Sequence, residues 1–180
     1  MAAVPENLAG LSRIMAALSG IGFVLCPLLL VAAFLIPGGH TDWILGQHHL
    51  RELLRADVPY AFRVAALLFE AGPTGFVMWA LWSLRRLFQR YAAGDVFSNE
   101  ALNCLNHVAA ALFAEVITGF VVQAPVSLLL TWWRGEGHRE IALGLSSGDF
   151  GSLFLAGAVL VIARVMAVAR RMADENESFV

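Results

Sequence analysis

Residues 14–36 read IMAALSGIGFVLCPLLLVAAFLI, with no charged side chain. A bilayer core is about 30 Å thick and takes about 20 apolar residues per helix, so this stretch is long enough to cross one. Three more stretches meet the same test. Residues 64–84 are broken only by Glu70, and residues 101–132 contain Glu115 and Gln123. Residues 150–169 carry Arg164 near their end. Backbone groups in lipid must be hydrogen-bonded internally, so each span is expected to be helical. The segments of about ten alternating residues that a β-barrel requires are not visible. The fold expected is all-α: a single four-helix transmembrane domain over residues 1–180, arranged as an antiparallel bundle.

Composition agrees. Of the 180 residues, 59% are hydrophobic and 14% charged, against about 45–50% and about 25% in a soluble domain. The net charge of −2 provides no basic field for a phosphate backbone, so direct nucleic-acid binding is not expected. The first stretch is too long for a signal peptide, and Phe34-Leu35-Ile36-Pro37 offers no small-x-small cleavage pattern. It is expected to stay in the mature chain. Cys26 and Cys104 belong at different depths and are expected as free thiols.

All twelve basic residues are arginine, and those beside span ends set the orientation. Arg13 precedes span one; Arg85, Arg86 and Arg90 follow span two; Arg170 and Arg171 follow span four. Arg51, Arg55, Arg63, Arg134 and Arg139 oppose them, but Arg85-Arg86 and Arg170-Arg171 abut their membrane exits. Both termini are therefore expected in the cytoplasm, in a multi-pass membrane protein.

Several local signals refine this layout. Gly72-Pro73 in span two and Pro125 late in span three predict kinks. Ala16-x-x-x-Gly20 and Ala71-x-x-x-Gly75 allow close helix approach. In the loop over residues 37–62, Trp43, Leu50 and Leu54 can share a helical face beside Gln47 and Arg51, as a surface helix or a packed one. His40, His48 and His49 fall in that loop; adjacent histidines diverge by about 100° on a helix, so a metal site is not expected. Gly94-Asp95 is a turn dipeptide. Ser98 suits an N-cap, Glu100 suits the positive end of the helix that follows, and Phe97 can fold back as an apolar anchor.

The run Leu87-Phe88-Gln89-Arg90-Tyr91-Ala92-Ala93-Gly94-Asp95-Val96-Phe97-Ser98 resembles the loop between the second and third spans of the bacterial membrane proteins of domain-of-unknown-function family 2975. The ending Glu175-Asn176-Glu177-Ser178-Phe179-Val180 is similar to that family's Glu-Asn-x-(Ser/Thr)-x-Val terminus. The resemblance implies four spans and no established activity. It also implies a partner, because members are often encoded beside a small helix-turn-helix regulator. No catalytic residue carries over.

Ionisable residues within a span are costly and so are functional candidates. At about 1.5 Å per residue, Glu70 lies about 9 Å below the outer end of span two. By the same arithmetic Glu115 lies about 9 Å below the outer face of a ~30 Å core. These carboxylates, with Gln123, form an intramembrane polar site in one reading, a shared proton or cation site. In the other they are neutral acids hydrogen-bonded to backbone or Gln123, or satisfied by Arg63. Arg164 lies about 21 Å below the outer end of span four, where it snorkels toward the cytoplasmic face. Only His107 lies inside a span, so neither haem nor another cofactor is expected. Ser-His-Asp sets, Cys-x-x-Cys pairs and phosphate loops are absent from the sequence, so an enzyme is not expected. The expected function is to bind or sequester a helix-turn-helix regulator through Arg85, Arg86, Arg90, Asp95, Phe97 and the tail residues Asp174, Glu175 and Glu177. The alternative is a small proton- or cation-coupled transporter using the membrane carboxylates. The bilayer is the other expected partner, and the sequence leaves homo-oligomerisation open.

Overall fold

The computed structural model describes residues 6–36, 58–96, 98–134, 137, 139 and 141–177. The surface-helix reading of Trp43, Gln47, Leu50, Arg51 and Leu54, the histidines of that loop and the anchor role of Phe97 lie outside the described residues. So do the side chains of Asp174, Glu175 and Glu177.

Four helices lie among the described residues: α1 (Glu6–Leu35), α2 (Tyr60–Ala92), α3 (Asn99–Trp132) and α4 (Ser147–Glu177). All four are long and apolar enough to cross a membrane. Three of them contain a whole expected span, and α1 stops one residue short of the expected end at Ile36. At about 1.5 Å per residue, the 34 residues of α3 reach about 51 Å, roughly 20 Å more than the hydrocarbon core. The prolines do not end the helices: Pro73 and Pro125 lie inside α2 and α3, and Pro27 lies inside α1. Proline is tolerated in such helices because neighbouring groups re-satisfy the freed carbonyls.

Helix packing follows chain order. Among the described residues α1 packs on α2, α2 on α3 and α3 on α4. One end of the bundle holds the short α2–α3 turn, the start of α1 and the finish of α4; we call it the turn end. The other, the loop end, holds the α1–α2 and α3–α4 connections. Each end has its own core. At the loop end, Phe34 of α1 is fully buried with Ala66 of α2 and Val122, Val126 and Leu130 of α3. At the turn end, Leu87 of α2, Ala101, Cys104 and Leu105 of α3 and Ala163 of α4 cluster, joined by Tyr91, Val159 and Met166. Buried hydroxyls inside the helices turn back onto their own backbone, as Ser19 Oγ does to the Met15 carbonyl (2.8 Å) and Thr131 Oγ1 to that of Ser127 (2.9 Å).

The two small-residue motifs behave differently. Gly20 allows the Arg85 side chain to lie against α1: a Cβ there would sit 3.0 Å from Arg85 Nη1. Gly75 has open space around its missing side chain and Ala71 is exposed, so the second motif makes no close helix contact among the described residues. The neighbouring Gly72 faces Thr118 of α3, whose methyl group lies 3.6 Å from where a Cβ would sit. Cys26 and Cys104 are free, as expected.

Candidate functional site

The α2–α3 turn is built as its sequence suggests. Gly94 takes a left-handed φ of 88°, which glycine adopts without a Cβ clash. The Asp95 amide donates to the Arg90 carbonyl (3.0 Å) and the Gly94 amide to that of Tyr91 (3.1 Å). These are the paired bonds of a Schellman ending. Ser98 caps α3, its Oγ accepting from the Ala101 amide at 3.1 Å. Arg90 ties the two helix ends together: Nη1 meets Asp95 Oδ2 at 3.0 Å and Glu100 Oε2 at 3.1 Å. Glu100 thus serves as an ion-pair partner besides suiting the dipole.

Around this turn the arginines form a belt. Arg85 lies against Gly20 of α1. Arg13, Gln89 and Arg85 line one groove between α1 and α2. Arg86, Arg90 and Asp95 line a second groove of about 340 Å³ that adjoins the first at Gln89. Ala163 clusters with Leu87 and Ala101, which sets the adjacent Arg164 at the same level. Its expected snorkelling toward this end is therefore short. Arg13, Arg85, Arg86 and Arg164 are all exposed. The described arginines of the loop end are arranged differently. Arg63 is buried; its Nε donates to the Val58 carbonyl (3.1 Å) and its Nη1 to the Phe34 carbonyl (3.4 Å). It thereby places a cation at the negative C-terminal end of α1. The Arg139 guanidinium sits 4.0 Å above the Trp132 ring, and that of Arg134 lies 5.9 Å from the Trp133 ring.

The carboxylates do not form the expected trio with Gln123. Gly72 faces Thr118, so in this antiparallel pair Glu70 is level with about residue 120. Glu115 lies five residues nearer the turn end, an axial offset of about 7.5 Å. Helix register, which span boundaries alone do not fix, separates them. Glu115 is instead close enough to Asp149, in the first turn of α4, for their charges to interact. Its Oε2 is buried without a hydrogen-bond partner among the described residues. Gln123 bonds to neither glutamate: its Oε1 accepts from the Gly144 amide at 2.8 Å. Ser127 Oγ likewise accepts from the Ala142 amide (3.0 Å) while donating to the Ala124 carbonyl (3.0 Å).

Gln123 and Ser127 thus hold the non-helical segment 141–146 against the last turns of α3. Irregular backbone is tolerated near membrane depth only where protein groups satisfy it. The segment ends in a capping box: Ser146 Oγ accepts from the Asp149 amide, and Asp149 Oδ2 accepts from the Ser146 amide. The Ser-x-x-Asp spacing ahead of an apolar run was the available signal for Ser146 and Asp149. Ser127 carried no comparable signal. His107 packs on Trp79, ring centroids 5.6 Å apart.

The family model for a protein of unknown function, DUF2975, matches residues 50–180. The chain belongs to the DUF2975 family. No curated protein and no solved structure matches it. The DUF2975 match takes in α2, α3, α4 and the turn between α2 and α3, while α1 precedes it.

Proposed function

We propose that this DUF2975 protein is a multi-pass protein of a bacterial inner membrane, with its turn end in the cytoplasm, and that it holds a soluble helix-turn-helix regulator there without catalysing a reaction. The observation that carries the reading is the belt of exposed arginines at one end of the helices. Cytoplasmic flanks are enriched in such residues, whereas the described arginines of the loop end, Arg63, Arg134 and Arg139, are buried or lie against tryptophans. Helix α4 supports the second half of the proposal. It continues to Glu177, past the apolar run that stops before Arg170. That extension carries Asp174, Glu175 and Glu177 beyond Arg170 and Arg171. The arginines suit an anionic lipid surface, leaving an acidic end to attract a basic DNA-binding domain. Arg85, Arg86, Arg90 and Asp95 supply the rest of the docking surface in this reading.

The test is co-sedimentation of a tagged regulator encoded beside this protein with membranes. The full chain is expected to retain it in the membrane fraction. A chain lacking residues 174–180 is expected to insert normally and release it. A regulator that stays soluble beside the full chain contradicts the proposal.

The Glu115 Oε2, buried with no hydrogen-bond partner among the described residues, favours a second reading, an ion-coupled transporter. On that reading Glu115→Gln abolishes a proton-dependent flux in vesicles while leaving insertion intact.

A further inference from the structure

The groove between α1 and α2 at the turn end has two continuous parts. The first, about 330 Å³, is lined by Arg13, Ala16, Ala17, Arg85, Gln89 and Ala92. The second, about 450 Å³, is lined by Ala17, Gly20, Ile21, Val24, Leu25 and Arg85. Ala17 and Arg85 belong to both, so a cationic mouth adjoins an open apolar channel on the surface along α1. From Ala17 to Leu25 the channel follows about 12 Å of helix, directed from the arginine belt toward the middle of the bundle. Two guanidinium groups and one amide line the mouth, with no carboxylate among the described lining residues. Gly20 keeps the passage open: a side chain there would meet the Arg85 guanidinium at 3.0 Å.

We propose that this groove binds one anionic glycerophospholipid, its phosphate held by Arg13 and Arg85 and an acyl chain lying along Gly20, Ile21, Val24 and Leu25. Charge and shape together select this occupant. Guanidinium groups pair with phosphate oxygens through charge-assisted, often bidentate bonds. A free phosphate would fill the mouth and leave the channel unused. A zwitterionic lipid would fill the channel but bring a cationic group to a cationic mouth. The site uses α1, which precedes the region matched by the family model. It requires the arginine belt to lie at a bilayer surface, and it requires neither the soluble partner nor a particular leaflet.

The experiment is native mass spectrometry of the full chain in detergent micelles, titrated with dioleoylphosphatidylglycerol or dioleoylphosphatidylcholine, with and without inorganic phosphate. The wild-type chain is expected to retain one phosphatidylglycerol in preference to phosphatidylcholine. Arg85→Gln and Arg13→Gln are each expected to lower that preference about fivefold, the effect of one arginine near an anionic headgroup. Gly20→Leu leaves Arg13 in place, displaces the Arg85 guanidinium and fills the groove beside it, and is expected to reduce retention of both lipids. Helix content by circular dichroism accompanies each variant. Should Arg85→Gln fail to fold, Arg13→Gln, at an exposed position, carries the test. Equal retention of the two lipids by the wild type, or a preference unchanged in Arg13→Gln, overturns the site. Displacement of the lipid by inorganic phosphate at equal concentration overturns the lipid as its ligand.

Discussion

Replacing Gln123 by leucine keeps most of the side-chain volume and removes the oxygen that accepts from the Gly144 amide at 2.8 Å. Ser127→Ala removes the oxygen that accepts from the Ala142 amide at 3.0 Å. Each variant therefore unbinds a different amide of one short segment. An intramolecular hydrogen bond contributes about 0.5–1.5 kcal/mol net. The opening equilibrium at the amide that loses its acceptor should rise about 2- to 13-fold by that contribution. The assay is amide hydrogen exchange by NMR on the chain in micelles, read at Ala142 and Gly144 with α3 core amides as reference. Exchange at Gly144 is expected to accelerate in Gln123→Leu, and at Ala142 in Ser127→Ala, while the reference amides stay protected. If both amides accelerate in both variants, residues 141–146 open as one unit held by the two side chains. Exchange at Gly144 in Gln123→Leu indistinguishable from the parent chain refutes the assignment of Gln123 as a fastener of this segment.

Arg63→Ala and Arg90→Ala should differ sharply in thermal unfolding. The buried Arg63 bonds to two carbonyls, and its loss should cost about 2–4 kcal/mol through unpaired acceptors and an uncapped α1. Arg90 makes partly exposed ion pairs, and its loss should cost under about 1 kcal/mol, less at high salt. Gly94→Val forces a β-branched residue to a φ of 88° and should cost about 1–2 kcal/mol, whereas Gly94→Asn should cost less, both read from chemical unfolding curves. Glu70→Gln and Glu115→Gln should fold and insert as the parent does, since a neutral amide avoids burying a charge; loss of expression in both would show that the carboxylates are needed for assembly.

The sequence made the four helices legible because hydrocarbon thickness fixes how many apolar residues a span needs. It also made the α2–α3 turn legible: Gly94 needs a left-handed φ, and Ser98 is a residue type that caps. Three features were not legible, for one physical reason. The offset between Glu70 and Glu115 depends on how α2 slides against α3, and a pattern within one helix says nothing of that register. The level of Arg164 depends likewise on how α4 docks at Ala163. Gln123 looked like a partner for a membrane carboxylate because it lies in an apolar run. Its real partner, Gly144, comes from the connection that folds back along α3. Pro73 and Pro125 were legible as residues inside continuing helices, since neighbouring groups in such helices satisfy the carbonyls that proline frees.

The central claim is that the turn end faces the cytoplasm and the loop end the opposite side. Paired fusions of alkaline phosphatase and green fluorescent protein, placed after Gln89, after Val180 and near His48, test it most directly. The expected result is fluorescence without phosphatase activity at Gln89 and Val180, and phosphatase activity without fluorescence at His48. Fluorescence at the His48 fusion, with phosphatase activity at the other two, would contradict it.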